Sequence, residues 1–309
     1  MNTKFFFAAV LLALGAGACM FGQPPDLESA EIHSLPVQGN VYMLVGPGGN
    51  VTVQVGKQGV LLVDTMFAPL APKIMAEVRK LSNGPVRYIL NTHVHPDHVG
   101  GNEAIAKLVG NDPTQPLNII AQSNVLSRMV NSEKAPAPEV GLPTDDYFLP
   151  FKDLHFNGEA IILYHEEKAH TDGDSVILFR GSDVVATGDI FTPGGYPFID
   201  LERGGSVQGE IAALNHILEL TVPADKQEGG TLVIPGHGRL CEEADVVEYR
   251  DMVAIVRDRI QNLMKKGKTL GEIQEARPTR DYDTYYITKT SFVKAGQFVE
   301  TVYRSLGGK

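Results

Sequence analysis

Short runs rich in valine, leucine and isoleucine alternate with glycine-containing turns along the first half of the chain. Such runs are typical of buried β-strands, and turns of this composition separate antiparallel neighbours. The strands predicted in this half lie at 41–45, 51–55, 60–63, 86–90 and 119–121. Apolar residues at helical spacing predict a helix at 69–81, which ends before Asn83-Gly84-Pro85, and a shorter helix at 100–108.

The second half of the chain repeats this style and then changes to a helical tail. Its predicted strands lie at 160–165, 175–179, 184–186 and 231–234, its internal helix at 209–220, and its tail helices at 244–266, 269–276 and 292–306. The segment 131–151, rich in proline, aspartate and lysine, predicts a surface loop or flap. Strands with interspersed helices in both halves favour two sheets packed face to face under helices. We interpret the tail as an appended helical layer, not as a separate catalytic domain.

The first 22 residues have the pattern of a signal peptide. Lys4 precedes an apolar run at 5–14, and Ala16-Gly17-Ala18 is a small-residue cleavage site. This pattern predicts an exported protein, either periplasmic or secreted. Cys19 directly follows the small residues and is either the acylated cysteine of a lipoprotein or incidental; only its lipidation would bring the protein to a membrane. Cys241 is the other cysteine of the sequence, which excludes a disulfide framework.

Composition narrows the class of protein and of partner. The chain has 309 residues, of which 43% are hydrophobic, enough for one large core or two modest ones. It carries 27 Lys and Arg against 37 Asp and Glu, a formal net charge of −10 that becomes −11 without Lys4. Because phosphate backbones are bound by clustered basic residues, nucleic acid is disfavoured as a partner and a small-molecule substrate is expected.

Histidines and aspartates with metal-ligand chemistry follow several of the predicted strands. Packing alone does not require three imidazoles and a carboxylate within six residues, as in the segment 93–98 that follows the strand at 86–90. Three further candidates stand beside glycines near other strand ends; each is weak alone, because a lone histidine there is more often a hydrogen-bonded polar residue. Together these residues supply seven nitrogen and oxygen donors, enough for two metal ions: His93, His95, Asp97, His98, His170, Asp189 and His237.

The four-part pattern H-x-H-x-D-H, a distant histidine, an aspartate after Thr-Gly, and P-G-H-G resembles the metallo-β-lactamase-fold hydrolases over about 37–240. The resemblance implies an α/β protein, an αβ/βα four-layer sandwich with a dinuclear site at the edge between its sheets. Together with the signal peptide at 1–22 and the helical tail, it predicts a hydrolase domain at 23–243 and a C-terminal helical extension packed on the core at 244–309. Carried over residue by residue, it assigns His93, His95 and His170 to one metal ion, Asp97, His98 and His237 to the other, Asp189 to a bridging position and Asp64 to a supporting position outside the ligands.

Departures from the β-lactamase pattern favour a hydrolase of acyl compounds. Within the family, a bridging Asp189 is more similar to the thioesterase, lactonase and sulfur-oxidation-associated members, and an exported chain with a helical tail is most similar to the last. The expected reaction is attack by a metal-bridging hydroxide on the carbonyl of a thioester, lactone or related acyl compound, with Asp97 orienting the hydroxide or accepting its proton. Zinc is the expected metal, with iron or manganese as alternatives. Specificity is expected to lie in the loops at 46–50, 131–151 and 192–202.

Two other functions remain open at this point. One is β-lactam hydrolysis; the other is a non-hydrolytic redox or accessory module that only binds metal, which is the weaker because His95 and His98 follow the hydrolytic pattern. Tyr196 either donates a hydrogen bond to the substrate or packs on a turn. Cys241 is expected to be a buried thiol and not a ligand, and His165 to lie outside the ligand set, because only His170 has the family's context.

Overall fold

The structure is a computed structural model that describes residues 27–110, 112–132, 136–226, 229–288 and 291–308. The predicted signal peptide at 1–22, together with Cys19, lies outside the described residues. Within those ranges, no helix has both the length and the apolar character that crossing a bilayer requires.

The described strands form two sheets. In the first, the spatial order follows the chain: β1 His33–Gln38, β2 Val41–Gly46, β3 Gly49–Gly56, β4 Gly59–Val63, β5 Val86–Leu90, β6 Asn118–Gln122 and β7 Asp145–Tyr147. The strands from β1 to β4 pair antiparallel and those from β4 to β7 pair parallel. The second sheet contains β8 Phe151–Phe156, β9 Glu159–Glu166, β10 Asp174–Phe179, β11 Val184–Ala186, β12 Leu232–Ile234 and β13 Cys241–Glu242. Its order is β13-β12-β11-β10-β9-β8, and only β11 and β12 pair parallel.

Helices connect and cover the two sheets. Their bounds are α1 Ala71–Leu81, α2 Pro96–Val99, α3 Asn102–Val109, α4 Ser123–Val130, α5 Val207–Leu220, α6 Glu243–Lys265, α7 Leu270–Glu275, α8 Asp283–Tyr286 and α9 Ala295–Ser305. A buried cluster between the first sheet and α1 and α3 forms one helix–sheet interface. A second cluster joins the other sheet to α5, α6 and α9.

Alternating side-chain directions along the central strands separate the core between the two sheets from the cores between sheets and helices. In β4, Val60 and Leu62 pack toward the helices, while Leu61 and Val63 pack toward the other sheet. In β10, Val176 faces helices and Ile177 faces the space between the sheets. Because side chains of a strand point alternately to its two faces, one apolar run supplies two hydrophobic cores. The result is the αβ/βα sandwich that the resemblance implies, and that prediction is confirmed.

The C-terminal helices belong to the outer layer of the second sheet. Tyr249 and Val253 of α6 and Phe298 of α9 share one buried cluster with Val185 and Val233 of that sheet. The domain boundary predicted at 243/244 thus falls at the first turn of a helix that packs directly on a strand. The helices of the C-terminal extension therefore share one hydrophobic core with the second sheet.

Sequence patterns missed the strands at both edges of the first sheet. β1 contains Pro36, is largely exposed and has no apolar run, as expected for an edge strand. The loop predicted at 131–151 is wrong where it includes β7, whose single buried residue, Tyr147, bonds through its hydroxyl to Ser175 Oγ at 2.7 Å. One buried side chain after two exposed aspartates gives no periodic signal, and it is backbone pairing with β6 that forms this strand.

Candidate metal centre

The candidate ligands and Asp64 lie close together because the five loops that carry them are at one edge of the sandwich. The parallel strands β4, β5, β11 and β12 end at this edge and the antiparallel β10 begins there. The Ser175 amide donates to the Thr92 carbonyl at 2.8 Å, which ties the loop after β5 to the second sheet. The loops that follow or precede these strands carry Asp64, residues 93–98, His170, Asp189 and His237.

The loop that carries His237 is held close to Asp189. Asn50 Nδ2 donates to the carbonyls of Pro235 at 2.9 Å and Gly238 at 3.0 Å. A Cβ atom at Gly236 would lie 2.0 Å from Asp189 Oδ1, so a larger residue would displace the carboxylate. Glycine in the P-G-H-G segment is therefore required by close approach of the backbone.

One group of donors consists of three imidazoles and a carboxylate. His95 Nδ1 lies 3.1 Å from His93 Nε2 and 2.8 Å from His170 Nε2. Asp189 Oδ2 completes the group at 3.9 Å from His170 Nε2. All four ligand atoms lie within 4.8 Å of one another, a spacing that allows one ion to contact them all.

A second group lies against the other oxygen of the same carboxylate. It comprises Asp97, His98 and His237, whose ligand atoms also lie within 4.8 Å of one another. Asp189 Oδ1 is 3.4 Å from His98 Nε2 and 3.5 Å from His237 Nε2, and His237 Nε2 is 3.3 Å from Asp97 Oδ2. Asp189 therefore faces both groups, one oxygen toward each.

Hydrogen bonds outside the donor groups set which ring nitrogen faces inward. Asp64 accepts from the Thr92 amide at 2.8 Å, the Thr92 hydroxyl at 2.7 Å and His98 Nδ1 at 2.8 Å. Because the Thr92 hydroxyl gives its one proton to Asp64, its oxygen accepts from His93 Nδ1 at 3.0 Å. In their neutral forms, His93 and His98 therefore carry the bare nitrogen at Nε2, toward the centre, which is the form that binds metal.

Residues 198–200 orient the other two histidines in the same way. The Phe198 carbonyl accepts from His170 Nδ1, and Asp200 Oδ2 accepts from His95 Nε2 at 2.9 Å. Arg203 donates to the same Asp200 oxygen at 2.6 Å. Burial opposes ionisation of Asp200, yet these bonds from His95 and Arg203 hold its pKa below the usual range. Sequence analysis missed Asp200, which stands in no motif.

Burial keeps two of the histidines neutral, as metal binding requires. The pKa of His93 is lowered well below its usual value by burial and then by the charge of His98. Burial, followed by the charge of His95, lowers the pKa of His170 to about 4. These imidazoles therefore present a lone pair and not a proton at neutral pH.

The meeting point of the two groups presents buried polar atoms whose chemistry fits a cation. His98 Nε2 and Asp189 Oδ1 are buried, and neither has a hydrogen-bond partner among the described residues. Burial lowers the pKa of His98, but the carboxylates of Asp189 and Asp64 outweigh it and raise that pKa well above its usual value. Burial opposes ionisation of Asp189, but His237 and His98 keep its pKa well below the usual range. Two buried atoms of this chemistry, neither of them hydrogen-bonded, fit a divalent ion.

The remaining candidates of the sequence analysis lie outside these groups. The Tyr196 hydroxyl donates to Asp283 Oδ1 at 2.9 Å and lies 3.2 Å from the Thr279 carbonyl, and its ring stacks on Phe298. These contacts correspond to the packing alternative and not to a substrate contact. Cys241 is a buried free thiol, and His165 bonds to the Asp172 carbonyl at 3.0 Å.

Replacing Asp200 with asparagine is expected to weaken metal binding by about 10- to 100-fold. Asparagine can still accept from His95 but no longer carries the charge that stabilises the ligand's orientation and basicity. The measurement is competition for Zn²⁺ against a chromophoric chelator. The control is Glu202→Gln, which removes an exposed charge in the same turn. Equal affinities of the Asp200→Asn variant and the unmodified protein would contradict this assignment.

Glu210 on α5 is a fully buried carboxyl group, and neither of its oxygens has a hydrogen-bond partner among the described residues. Burial, followed by the charges of Asp174 and Asp189, raises its pKa well above the usual value. The folded state therefore keeps a proton that the unfolded state releases above about pH 4.3, so this group makes stability fall as pH rises toward the folded pKa.

Glu210→Gln is expected to remove this share of the pH dependence, which approaches about 1.4 kcal/mol for each pH unit in that window. Urea unfolding of the metal-free protein at pH 5 and pH 8 measures it. Between pH 5 and pH 8, the Glu210→Gln variant should lose less free energy of unfolding than the unmodified protein does. The control is Glu219→Gln, an exposed position on the same helix, which should lose as much as the unmodified protein. Identical pH slopes for Glu210→Gln and the unmodified protein would rule out a protonated Glu210.

Comparison of the sequence with known proteins shows the family to which the chain belongs. The model of the family described as the metallo-beta-lactamase superfamily matches residues 37–237, well over half of the chain. A curated linear primary-alkylsulfatase from Pseudomonas sp. (strain ATCC 19151) is 23% identical over 258 residues, covering 71% of this chain and 48% of its own length. The chain thus spans about half the length of this curated relative.

Solved structures show the same fold. The stereoselective inverting sec-alkylsulfatase Pisa1 from Pseudomonas sp. matches with a TM-score of 0.66 at 17% identity, over 88% of this chain and 50% of that one. A metallo-beta-lactamase from Pontibacter korlensis matches with a TM-score of 0.53 at 14% identity, over 72% of this chain and 99% of that one. At such identities the likeness concerns the fold.

Proposed function

Because this chain belongs to the metallo-beta-lactamase superfamily, which fits the hydrolase class predicted from its sequence, we propose that it is a dinuclear metal-dependent hydrolase of small-molecule esters. The observation that carries the proposal is the pair of donor groups that share Asp189. The substrates proposed first are thioesters, lactones and related acyl compounds. The fold itself implies divalent metal binding; the number and kind of ions are part of the proposal.

In this proposal the two groups divide the ligands as the resemblance implies. One ion would be held by His93, His95 and His170, the other by Asp97, His98 and His237, with Asp189 contributing one oxygen to each. Imidazole nitrogens and carboxylate oxygens in this number suit zinc, and also iron or manganese. Two such ions, when bound, supply Lewis acidity and lower the pKa of water toward neutrality.

Residues of the chain orient the water and transfer its proton during hydrolysis. Water adds its oxygen to the carbonyl carbon, the bond to the leaving oxygen or sulfur breaks, and one proton passes to the leaving group. Asp97 is suited to orient the water and accept its proton. Burial opposes its ionisation, but the hydrogen bond from His237 outweighs this and lowers the pKa of Asp97, which is ionised at neutral pH.

A second candidate is hydrolysis of alkyl sulfate esters. It is favoured by the curated relative, which is named a linear primary-alkylsulfatase and resembles this chain over 71% of the chain's length. The same donor groups would serve either reaction, since both require an activated water and a stabilised developing negative charge.

Initial hydrolysis rates distinguish these substrates. The zinc-loaded protein would be assayed side by side on a model thioester, a lactone, an alkyl sulfate and a chromogenic cephalosporin, before and after chelation and with zinc restored. We expect the thioester or lactone to be preferred and the rate to follow metal content. Preference for the alkyl sulfate would select the second candidate, preference for the cephalosporin would select β-lactam hydrolysis, and rates independent of zinc, iron and manganese would refute the metal-dependent hydrolase.

A further inference from the structure

Two exposed phenylalanines form an apolar surface beside the metal centre. The Phe198 ring lies 5.8 Å from the rings of both His95 and His170 and is 39% exposed. Phe292, which is 48% exposed, contacts Phe198 edge to face at 5.3 Å. We call this pair the aromatic shelf. It extends outward from the ligands of the first donor group.

Neighbouring residues fix both rings at this place. The carbonyl of Phe198 holds His170, Ile199 is buried in the adjacent core, and Asp200 holds His95. Phe292 precedes Val293, which is buried in the same core. Both backbones are therefore anchored by packing, while both rings are partly exposed, contact each other, and meet His95 and His170 through Phe198.

The position of the shelf is informative because single exposed apolar residues are common, whereas two contacting aromatic rings next to metal ligands are not explained by packing. Ligand sites combine a few convergent polar groups with apolar and aromatic walls. The donor groups supply the polar part here, and the shelf supplies an apolar wall that a small polar substrate would leave uncovered.

We infer that the aromatic shelf binds a hydrocarbon portion of the substrate while the bond to be hydrolysed lies at the donor groups. The inference rests on the proposed function and narrows it to esters or thioesters that carry an alkyl or aryl group of several carbons. Each methylene that the shelf removes from water should tighten binding by about fourfold. Phe198 and Phe292 are thus specificity-determining residues, and the C-terminal extension contributes one of them.

The first test measures selectivity among esters. Rates of the zinc-loaded protein on 4-nitrophenyl acetate, butyrate and octanoate give the dependence of kcat/KM on chain length. We expect kcat/KM to rise at least about tenfold from acetate to octanoate, and this ratio to fall toward one in Phe292→Ala. Phe292→Leu, which retains apolar area, should keep most of the ratio. Leu108→Ala, which truncates a residue 54% exposed on α3, should leave it unchanged.

The second test needs neither metal nor turnover. Calorimetric titration of the metal-free protein with 1-butanol and 1-octanol compares binding of a short and a long chain. We expect octanol to bind at least about tenfold more tightly, and Phe198→Ala and Phe292→Ala to lose the difference while the Leu108→Ala control retains it.

The two tests separate failure of the inference from failure of the proposed function. Equal kcat/KM values across the ester series, with equal binding of both alcohols, would overturn the shelf and leave the hydrolase standing. Tight octanol binding that depends on Phe292, with no ester hydrolysed, would support the shelf and count against the proposed function. A chain-length effect that persists in both alanine variants would place the apolar site elsewhere and overturn the inference.

Discussion

Replacing His95 with alanine is expected to lower kcat/KM for metal-dependent hydrolysis by about a thousandfold, since loss of a ligated ion removes several kcal/mol of transition-state stabilisation. His95 Nδ1 lies within 3.1 Å of the ligand atoms of both His93 and His170, so it stands at the middle of the first donor group. Its removal leaves that group with two imidazoles and one carboxylate oxygen. Turnover and bound metal per chain should fall together.

The control for this variant is another histidine-to-alanine change away from the centre. His155 on β8 is exposed and belongs to neither donor group. His155→Ala should retain both metal content and turnover. A folded His95→Ala variant that hydrolyses substrate at the original rate would show that the first donor group does not carry the reaction.

Replacing Asp64 with alanine is expected to lower the free energy of unfolding by about 3–5 kcal/mol, the cost of leaving buried polar partners of a charge unpaired. Its carboxylate accepts from the Thr92 amide, the Thr92 hydroxyl and His98 Nδ1, and all three groups are buried. Asp64 also has a φ of 63°, a left-handed conformation that aspartate and asparagine tolerate better than alanine. Urea unfolding of the metal-free protein measures the loss.

Asp64→Asn is the matched control for shape and backbone conformation. It keeps an acceptor for the Thr92 amide and the left-handed φ but lacks the charge, so we expect it to lose about 1–2 kcal/mol. Both variants should bind zinc more weakly, because His98 loses the partner that directs its Nε2 inward. An alanine variant within about 1 kcal/mol of the unmodified stability would mean that Asp64 does not organise this loop.

The sequence analysis predicted the strands that carry the centre because their apolar runs are continuous. Strands β4 and β5 are buried on both faces at most positions, so their composition alone identifies them. The helix predicted from Gly209 begins instead at Val207, where the Ser206 side chain accepts from the Gly209 amide and caps the helix. Glycine weakens a helical pattern, which hid the first turn from a periodicity argument.

The candidate ligands were predictable because their spacing is compact and they follow strands. Asp200 was not, because it lies 105 positions from His95 along the chain and becomes its neighbour only through the fold. Phe198 and Phe292 were equally hidden, since exposure of an aromatic ring depends on which side of its anchored backbone faces the core. The roles of these residues depend on which side chains are their neighbours in the folded protein, and a single sequence carries little information about such neighbours.

The donor groups draw on four loops from both sheets, and this has a consequence for folding kinetics. Neither group exists until the sheets have paired across the bond between Ser175 and Thr92. A transition state that lacks this long-range pairing cannot yet hold an ion, so bound metal should slow unfolding far more than it accelerates folding. The ion would then extend the lifetime of the native protein and take little part in guiding the chain toward it.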